Sequence, residues 1–241
     1  MAGRLYGVGL GPGDPELLTV KAAWLIGACP VVAYFAKAGR RGHAREIADR
    51  YIPAEATELP LYYPMTTELP FDHPEYLSVL SRFYAVSTAA LAAHLEAGRD
   101  VALIAEGDPL FYGSFMHLYV RLRERFACEI VPGVTGMAGC SAAAGAPMTW
   151  GDDVLTVLPG TLPFAALVDK LKASDAAVVM KLGGNFAKVR LAFEEAGLLD
   201  RALYVERGTM ARERVSPLKD KPEGPAPYFS LILLPGQGRR P

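Results

Sequence analysis

The residues of this sequence that stand where chemistry is done fall in four glycine-rich or polar turns: Gly9–Asp14, Glu106–Tyr112, Gly133–Gly136 and Lys181–Asn185. Each follows a short apolar run. Turns of this composition present backbone N–H and C=O groups to a polar ligand, and glycine lets that backbone come close. No reactive side chain stands out beside them. There is no G-x-S-x-G nucleophile elbow. His43, His73, His94 and His117 are scattered, with no H-E-x-x-H and no Cys/His clustering, so no metal site is expected. Asp152 and Asp153 are adjacent, and in a strand they would point to opposite faces. The pattern suits a reaction whose electrophile arrives already activated on a cofactor.

The most informative stretch is Gly98–Gly113, GRDVALIAEGDPLFYG. Val101–Ala105 reads as a parallel strand buried on both faces. Gly107 and Pro109 then break it, and Asp108 between them is placed to bond nearby backbone amides. A helical pattern resumes at Ser114. In open α/β sheets, ligands bind outside the carboxyl ends of the strands, where Glu106–Tyr112 would lie. The first turn, Gly9–Asp14, is also strand, glycines, helix, but the common nucleotide motifs fail. Counting from Gly7, the third glycine of the dinucleotide fingerprint is Pro12; counting from Gly9, it is Asp14. Ala36-Lys37 stands after the second strand in place of a ribose-binding carboxylate, and no Gly-Lys-Ser/Thr marks a P-loop.

The elements that must position these turns alternate strand and helix. Strands are expected at Leu5–Leu10, Val31–Phe35, Glu58–Tyr62, Val101–Ala105 and Cys128–Val131. Beyond them, strand-like runs fall at Val154–Leu158, Ala176–Met180, Ala202–Val205 and Phe229–Leu234. The first helix is read from Leu17. Glu75–Ala97 is a long helix with Leu77, Leu80, Phe83, Tyr84, Ser87, Leu91 and Leu95 near one stripe, closed by Gly98 at C′. Further helices are expected at Phe164–Ala173 and Phe186–Ala196. Tyr63–Pro74, with three prolines, is an irregular loop. Pro132–Gly136 is the candidate hinge between domains, and after Arg207 short strands and loops suggest a mixed second sheet. Lys37, Arg40, Arg41, His43, Arg45 and Arg50 form a basic segment, either a solvated helix face or a patch for an acidic small molecule.

With 241 residues and 51% hydrophobic residues the chain has material for a real core, which argues against disorder. A net charge of −1 gives no electrostatic case for nucleic acid. Cys29, Cys128 and Cys140 form no C-x-x-C, and a reducing cytoplasm fits them. The first residues lack the apolar stretch of a signal peptide, and no run approaches the roughly 18 apolar residues of a membrane span.

Three motifs carry a family resemblance. V-G-L-G-P-G-D-P-E-L-L-T-V-K-A at Val8–Ala22, G-R-D-V-A-L-I-A-E-G-D-P-L-F-Y-G at Gly98–Gly113 and V-P-G-V-T-G-M-A at Val131–Ala138 resemble the tetrapyrrole methylases, in that family's order and spacing. Tyr34-Phe35-Ala36-Lys37, Tyr62-Tyr63-Pro64-Met65-Thr66, Gly113-Ser114-Phe115-Met116 and Gly151–Thr161 are most similar to the members that methylate C20 of precorrin-2 in cobalamin biosynthesis. The resemblance implies two α/β domains, 1–132 and 133–241, each around a five-stranded sheet, the first mostly parallel and the second mixed, with the active-site cleft between them. It implies S-adenosylmethionine as methyl donor and a cytoplasmic homodimer. Carried onto this chain, the cofactor contacts are Pro12, the backbone of Glu106, Gly107 and Asp108, Phe111, Tyr112, Thr135, Gly136, Met180, Lys181, Leu182, Arg207, Gly208 and Thr209. Glu106, Tyr112 and His117 are, by location, the candidates for removing the proton from the methylated carbon. A substrate with many carboxylates would give Lys37, Arg40 and Arg41 a binding role. The alternatives are a cobalt-containing substrate, a diphthamide methyltransferase acting on protein, and a nucleotide-binding sensor.

Overall fold

Val101–Ala105 (β4), buried at every residue, is the middle strand of the first of two five-stranded sheets. The computed structural model describes residues 1–64 and 74–238. Most of the expected irregular loop, including Met65 and Thr66, lies outside the described residues, as do the last three residues of the expected C-terminal tail. The chain divides into two compact units, Met1–Thr135 and Gly136–Pro241.

In the first unit the other strands are Leu5–Gly9 (β1), Val31–Lys37 (β2), Thr57–Tyr63 (β3) and Cys128–Val131 (β5). Their order is β3-β2-β4-β1-β5 and every pairing is parallel, as the unbroken apolar runs require. Helices Val20–Ala28 (α1) and His43–Ile47 (α2) pack on one face with Ala102 and Ile104. Pro74–Glu96 (α3) and Phe115–Leu122 (α4) pack on the other with Val101 and Leu103. The two-residue period of β4 thus feeds both layers. Gly7 makes this fit possible: a Cβ there would lie 2.2 Å from the ring of the fully buried Phe115.

This order creates a switch point. From β1 the chain leaves through α1 on one face, and from the adjacent β4 it leaves through α4 on the opposite face. Their carboxyl ends therefore border the crevice where open sheets of this kind bind ligands.

Local signals set the end of α3 and the start of α1. The long helix α3 ends in a Schellman motif: Gly98 has φ +75°, its N–H reaches the Leu95 carbonyl, and the Arg99 N–H reaches that of His94. Leu77 is the exception in its stripe, since it is exposed. The first helix starts at Val20 rather than Leu17, because Thr19 caps it by accepting the Ala22 N–H at 3.1 Å. Pro15–Leu17 is a separate single turn, held by Asp14 accepting the Glu16 N–H at 2.8 Å.

In the second unit the sheet order is β6-β7-β10-β8-β9, built from Leu155–Pro159 (β6), Ala176–Met180 (β7), Leu203–Glu206 (β8), Arg214–Pro217 (β9) and Ser230–Leu234 (β10). β6 and β7 are parallel, while β10 runs antiparallel to both β7 and β8. The carboxyl ends of β6, β7 and β8 consequently share one edge of the sheet. Gly136–Ala144 (α5) covers one face; Phe164–Lys172 (α6) and Phe186–Glu195 (α7) cover the other. The sheet is mixed, as expected. Among the described residues no helix is long and apolar enough to cross a membrane.

The basic segment is not a uniform solvated face. Arg45 is 8% exposed and holds Glu58 with two bonds, Nε–Oε2 at 2.6 Å and Nη2–Oε1 at 2.7 Å. A third bond joins it to Asp49 at 2.6 Å, and the Tyr34 hydroxyl donates to Glu58 at 2.8 Å. This network ties α2 to β2 and β3. Arg45 holds the Glu58 carboxyl below its ordinary value of 4.5, so the folded state binds fewer protons there than the unfolded chain. That stability is complete above the ordinary value and is lost as the pH falls through the depressed folded one. In urea unfolding, Glu58→Ala is therefore expected to cost about 1–3 kcal/mol at pH 7. Its gap from wild type should shrink in acid.

Candidate functional site

Three loops meet at the carboxyl ends of β4, β1 and β5. Gly11 and Gly107 bond each other reciprocally, at 3.3 Å and 2.8 Å, beyond the last paired residues of β1 and β4. A Cβ on Gly9 would lie 2.5 Å from the Gly133 nitrogen, and one on Gly133 would lie 2.1 Å from the Gly107 carbonyl oxygen. Both neighbours are backbone of the loops that follow β5 and β4, so neither position accepts a side chain. Asp108 completes the junction with two different oxygens: Oδ1 accepts the Leu110 N–H at 2.9 Å and Oδ2 the Gly133 N–H at 3.1 Å. Its role here is to hold the loops, as its place in the turn suggested.

The other expected residues of this unit spread outward from the junction. Pro12 is buried. Phe111 and Tyr112 meet edge to face, 4.9 Å between ring centres. Ser114, just beyond, takes the Tyr63 hydroxyl as a hydrogen-bond donor, so the end of β3 is tied to the loop after β4. Thr135 ends the unit. The Glu106 carboxylate accepts the Ala44 N–H at 3.1 Å; the residue is half-buried, and burial pushes the carboxyl above the ordinary carboxylate range. His117 lies on α4 with its ring stacked on Tyr84 at 4.4 Å. Burial, then the Arg121 guanidinium, hold it below the ordinary histidine value.

Lys37 ends β2, and Arg40 and Arg41 follow it, all exposed. Arg41 pairs with Asp49 at 2.7 Å.

In the second unit the expected residues lie at the shared carboxyl edge of β7 and β8. Gly136 opens α5. Met180 is the last residue of β7 and packs against the same apolar cluster as Met137 of α5. Lys181 is exposed, whereas Leu182 is 1% exposed within the hydrophobic core, so only its backbone can meet a ligand. Gly208 packs on α5, where a Cβ would lie 2.8 Å from the Cys140 sulfur. That sulfur accepts the Gly208 N–H, and burial pushes the thiol up to about 11. The Thr209 N–H donates to Glu213 at 2.6 Å.

Among the described residues, four that are not glycine have left-handed backbone: Tyr112 at φ 55°, Lys181 at 57°, Arg207 at 51° and Thr209 at 69°. Each such residue costs about 1–2 kcal/mol. Strain of this kind gathers at ligand sites, where the surroundings enforce it. All four are positions that the family resemblance assigns to the cofactor.

The family model of the tetrapyrrole (corrin/porphyrin) methylases matches residues 4–221. The chain belongs to this family. A precorrin-2 C(20)-methyltransferase from a Sinorhizobium species is 54% identical over 239 residues, 99% of this chain and 98% of that protein. A cobalt-precorrin-2 C(20)-methyltransferase from Salmonella typhimurium is 33% identical, with 97% of each chain covered. Among solved structures, a cobalt precorrin-4 methyltransferase is similar at TM-score 0.69 and 26% identity, covering 97% of this chain and 94% of the other. A uroporphyrin-III C-methyl transferase from Thermus thermophilus, complexed with S-adenyl homocysteine, is similar at TM-score 0.66 and 25% identity, covering 97% and 92%.

Sequence reasoning on this tetrapyrrole methylase missed three supports of the site. Tyr63 and Ser114 are 51 residues apart, and nothing in either segment announces their bond. Cys140 gave no sign of its contact with Gly208. Gly160, whose Cβ would lie 3.1 Å from both the Met180 and Lys181 carbonyl oxygens, was visible only as a glycine after a strand.

Because Asp108 uses both oxygens, the isosteric amide keeps only one acceptor. Asp108→Ala is expected to lose about 1–3 kcal/mol of stability for its unpaired donors, and Asp108→Asn about half as much. Equal unfolding midpoints for the two variants would contradict the two-sided bonding.

Proposed function

We propose that this tetrapyrrole methylase transfers a methyl group from S-adenosylmethionine to the C20 meso carbon of precorrin-2, giving precorrin-3A in cobalamin biosynthesis. The observation that carries the reading is the 54% identity, along the whole chain, to a protein named for that reaction. Identity falls to 33% for the relative named for the cobalt-containing substrate, which favours metal-free precorrin-2 here.

The residues fit the cofactor chemically. A nucleoside joined to an amino acid asks for backbone donors and acceptors at close range and for apolar faces beside them. The Glu106–Asp108 backbone and the left-handed Lys181, Arg207 and Thr209 offer the first; Pro12, the Phe111–Tyr112 pair and Met180 offer the second. Thr135, Gly136, the Leu182 backbone and Gly208 complete the assigned set. When bound, S-adenosylmethionine supplies a sulfonium methyl activated for transfer. The meso carbon of a reduced tetrapyrrole is enamine-like and is itself the nucleophile, so the new carbon–carbon bond forms as the carbon–sulfur bond breaks.

The chain's own task is orientation, worth up to about 7–11 kcal/mol when reacting atoms are well aligned. A loop fixed by Asp108 and by glycine contacts on two sides is rigid enough for it. The proton on the methylated carbon must then leave. Tyr112 and His117 are the residues assigned to take it, and His117 is held neutral, the form a base requires. Lys37, Arg40 and Arg41 are assigned to substrate carboxylates. The same reading carries the family expectation of a cytoplasmic homodimer.

Two measurements test it. Calorimetry should show S-adenosylhomocysteine binding at about micromolar strength, roughly −8 kcal/mol, with no binding of NAD. Incubation with labelled S-adenosylmethionine and precorrin-2, with and without cobalt, should give a singly methylated product from the metal-free substrate, read by mass spectrometry. Methylation only of the cobalt form would replace the substrate; binding of NAD alone would remove the reading.

A further inference from the structure

Glu106 stands at the end of β4, beside the loop junction, yet its carboxylate is engaged elsewhere. It accepts the N–H of Ala44, the second residue of α2, and also its own backbone N–H. The first turn of any helix has N–H groups that need partners. The usual source is a Ser, Thr, Asp or Asn at the position before the helix. In α2 that position is Gly42, and it makes no side-chain cap. It has no room for one: a Cβ on Gly42 would lie 2.2 Å from the Phe35 carbonyl oxygen, which is backbone of β2. The cap comes instead from Glu106, 62 residues away in sequence.

This bond has a consequence for the basic loop. α2 is held from one side by Glu106 and from another by Arg45, which grips Glu58 of β3 and also Asp49. The residues between β2 and α2 include Arg40 and Arg41. The Arg40 N–H bonds back to the Lys37 carbonyl, and the Glu46 N–H to that of Gly42. The loop therefore runs between two anchored ends, one of them set by Glu106.

We infer that Glu106 is a positioning residue: its carboxylate caps α2 in place of residue 42, and so sets where the Lys37–Arg41 segment presents its cations, rather than taking a proton from the substrate. The inference rests on the proposed reaction only in naming substrate carboxylates as the ligands of those cations. The cap needs an acceptor oxygen, and a carboxyl keeps one whether ionised or neutral. Glutamine also keeps one; alanine does not.

Two experiments on the full chain test it. Hydrogen exchange at the amides of Ala44–Ile47, measured without substrate, should quicken in Glu106→Ala and stay near wild type in Glu106→Gln. With precorrin-2 and S-adenosylmethionine, Glu106→Ala should raise KM for the tetrapyrrole by about fivefold, the Boltzmann equivalent of a lost helix cap. The change in KM should exceed the change in kcat, the mark of lost uniform binding. Glu106→Gln should restore KM. Loss of kcat alike in both variants, with a limb missing from the pH profile and exchange unchanged, would make Glu106 the proton acceptor and overturn the inference. So would exchange and KM in Glu106→Ala equal to wild type. A wild-type protein that fails to methylate precorrin-2 would remove the assigned reaction, while the exchange comparison would still decide the cap.

Discussion

At the carboxyl ends of β4, β1 and β5 three loops share a space in which Gly9 and Gly133 have no room for a Cβ. That close approach is the constraint on which the candidate site depends. It requires glycine on two of the loops and allows Gly107, at φ +64°, to turn the third across them. Asp108 ties two of these loops together, because backbone N–H groups at such a junction need acceptors. One carboxylate, bonding Leu110 on its own loop and Gly133 on the next, satisfies two of them.

The parallel sheet explains why these three loops meet at all. β1 and β4 are neighbours whose connections leave on opposite faces, so no helix covers the crevice at their ends. The second unit solves a similar problem with a mixed sheet. There β6, β7 and β8 end at one edge, and close approach is again achieved by glycine: Gly160 against the Met180 and Lys181 carbonyls, Gly208 against Cys140. Each unit carries left-handed residues in the loops that follow its strands: Tyr112 late in the loop after β4, Lys181 directly after β7, and Arg207 and Thr209 in the turn after β8.

Much of this was legible in the sequence. The continuous apolar run of Val101–Ala105 announced a doubly covered strand, Gly98 a helix terminus, and the glycines at 9, 107 and 133 the three loops. The motifs around them carried the family. What was not legible depends on long-range contact. Arg45 looked like one of six basic residues on a surface, because Glu58, which it grips, and Tyr34, which bonds that carboxylate, lie on β3 and β2. The bond from the Ala44 N–H to Glu106 was not legible either, because the two lie 62 residues apart. That the Leu182 side chain belongs to the core of its unit, leaving its backbone for a ligand, was not legible from its place after β7. The helix onset at Val20 turned on a cap at Thr19 that competed with an apolar pattern starting earlier. Left-handed torsions at Tyr112, Lys181, Arg207 and Thr209 have no signature in residue type, since glycine rather than these residues favours them.

In the proposed reading, the loop junction of the first unit binds the cofactor. The most direct test is a titration of the isotopically labelled protein with S-adenosylhomocysteine, followed by amide chemical shifts. The account predicts saturable shifts at Gly11, Gly107, Asp108, Tyr112 and Gly133, moving together with one binding constant. Saturable binding that leaves those five amides unmoved and shifts others instead would contradict it.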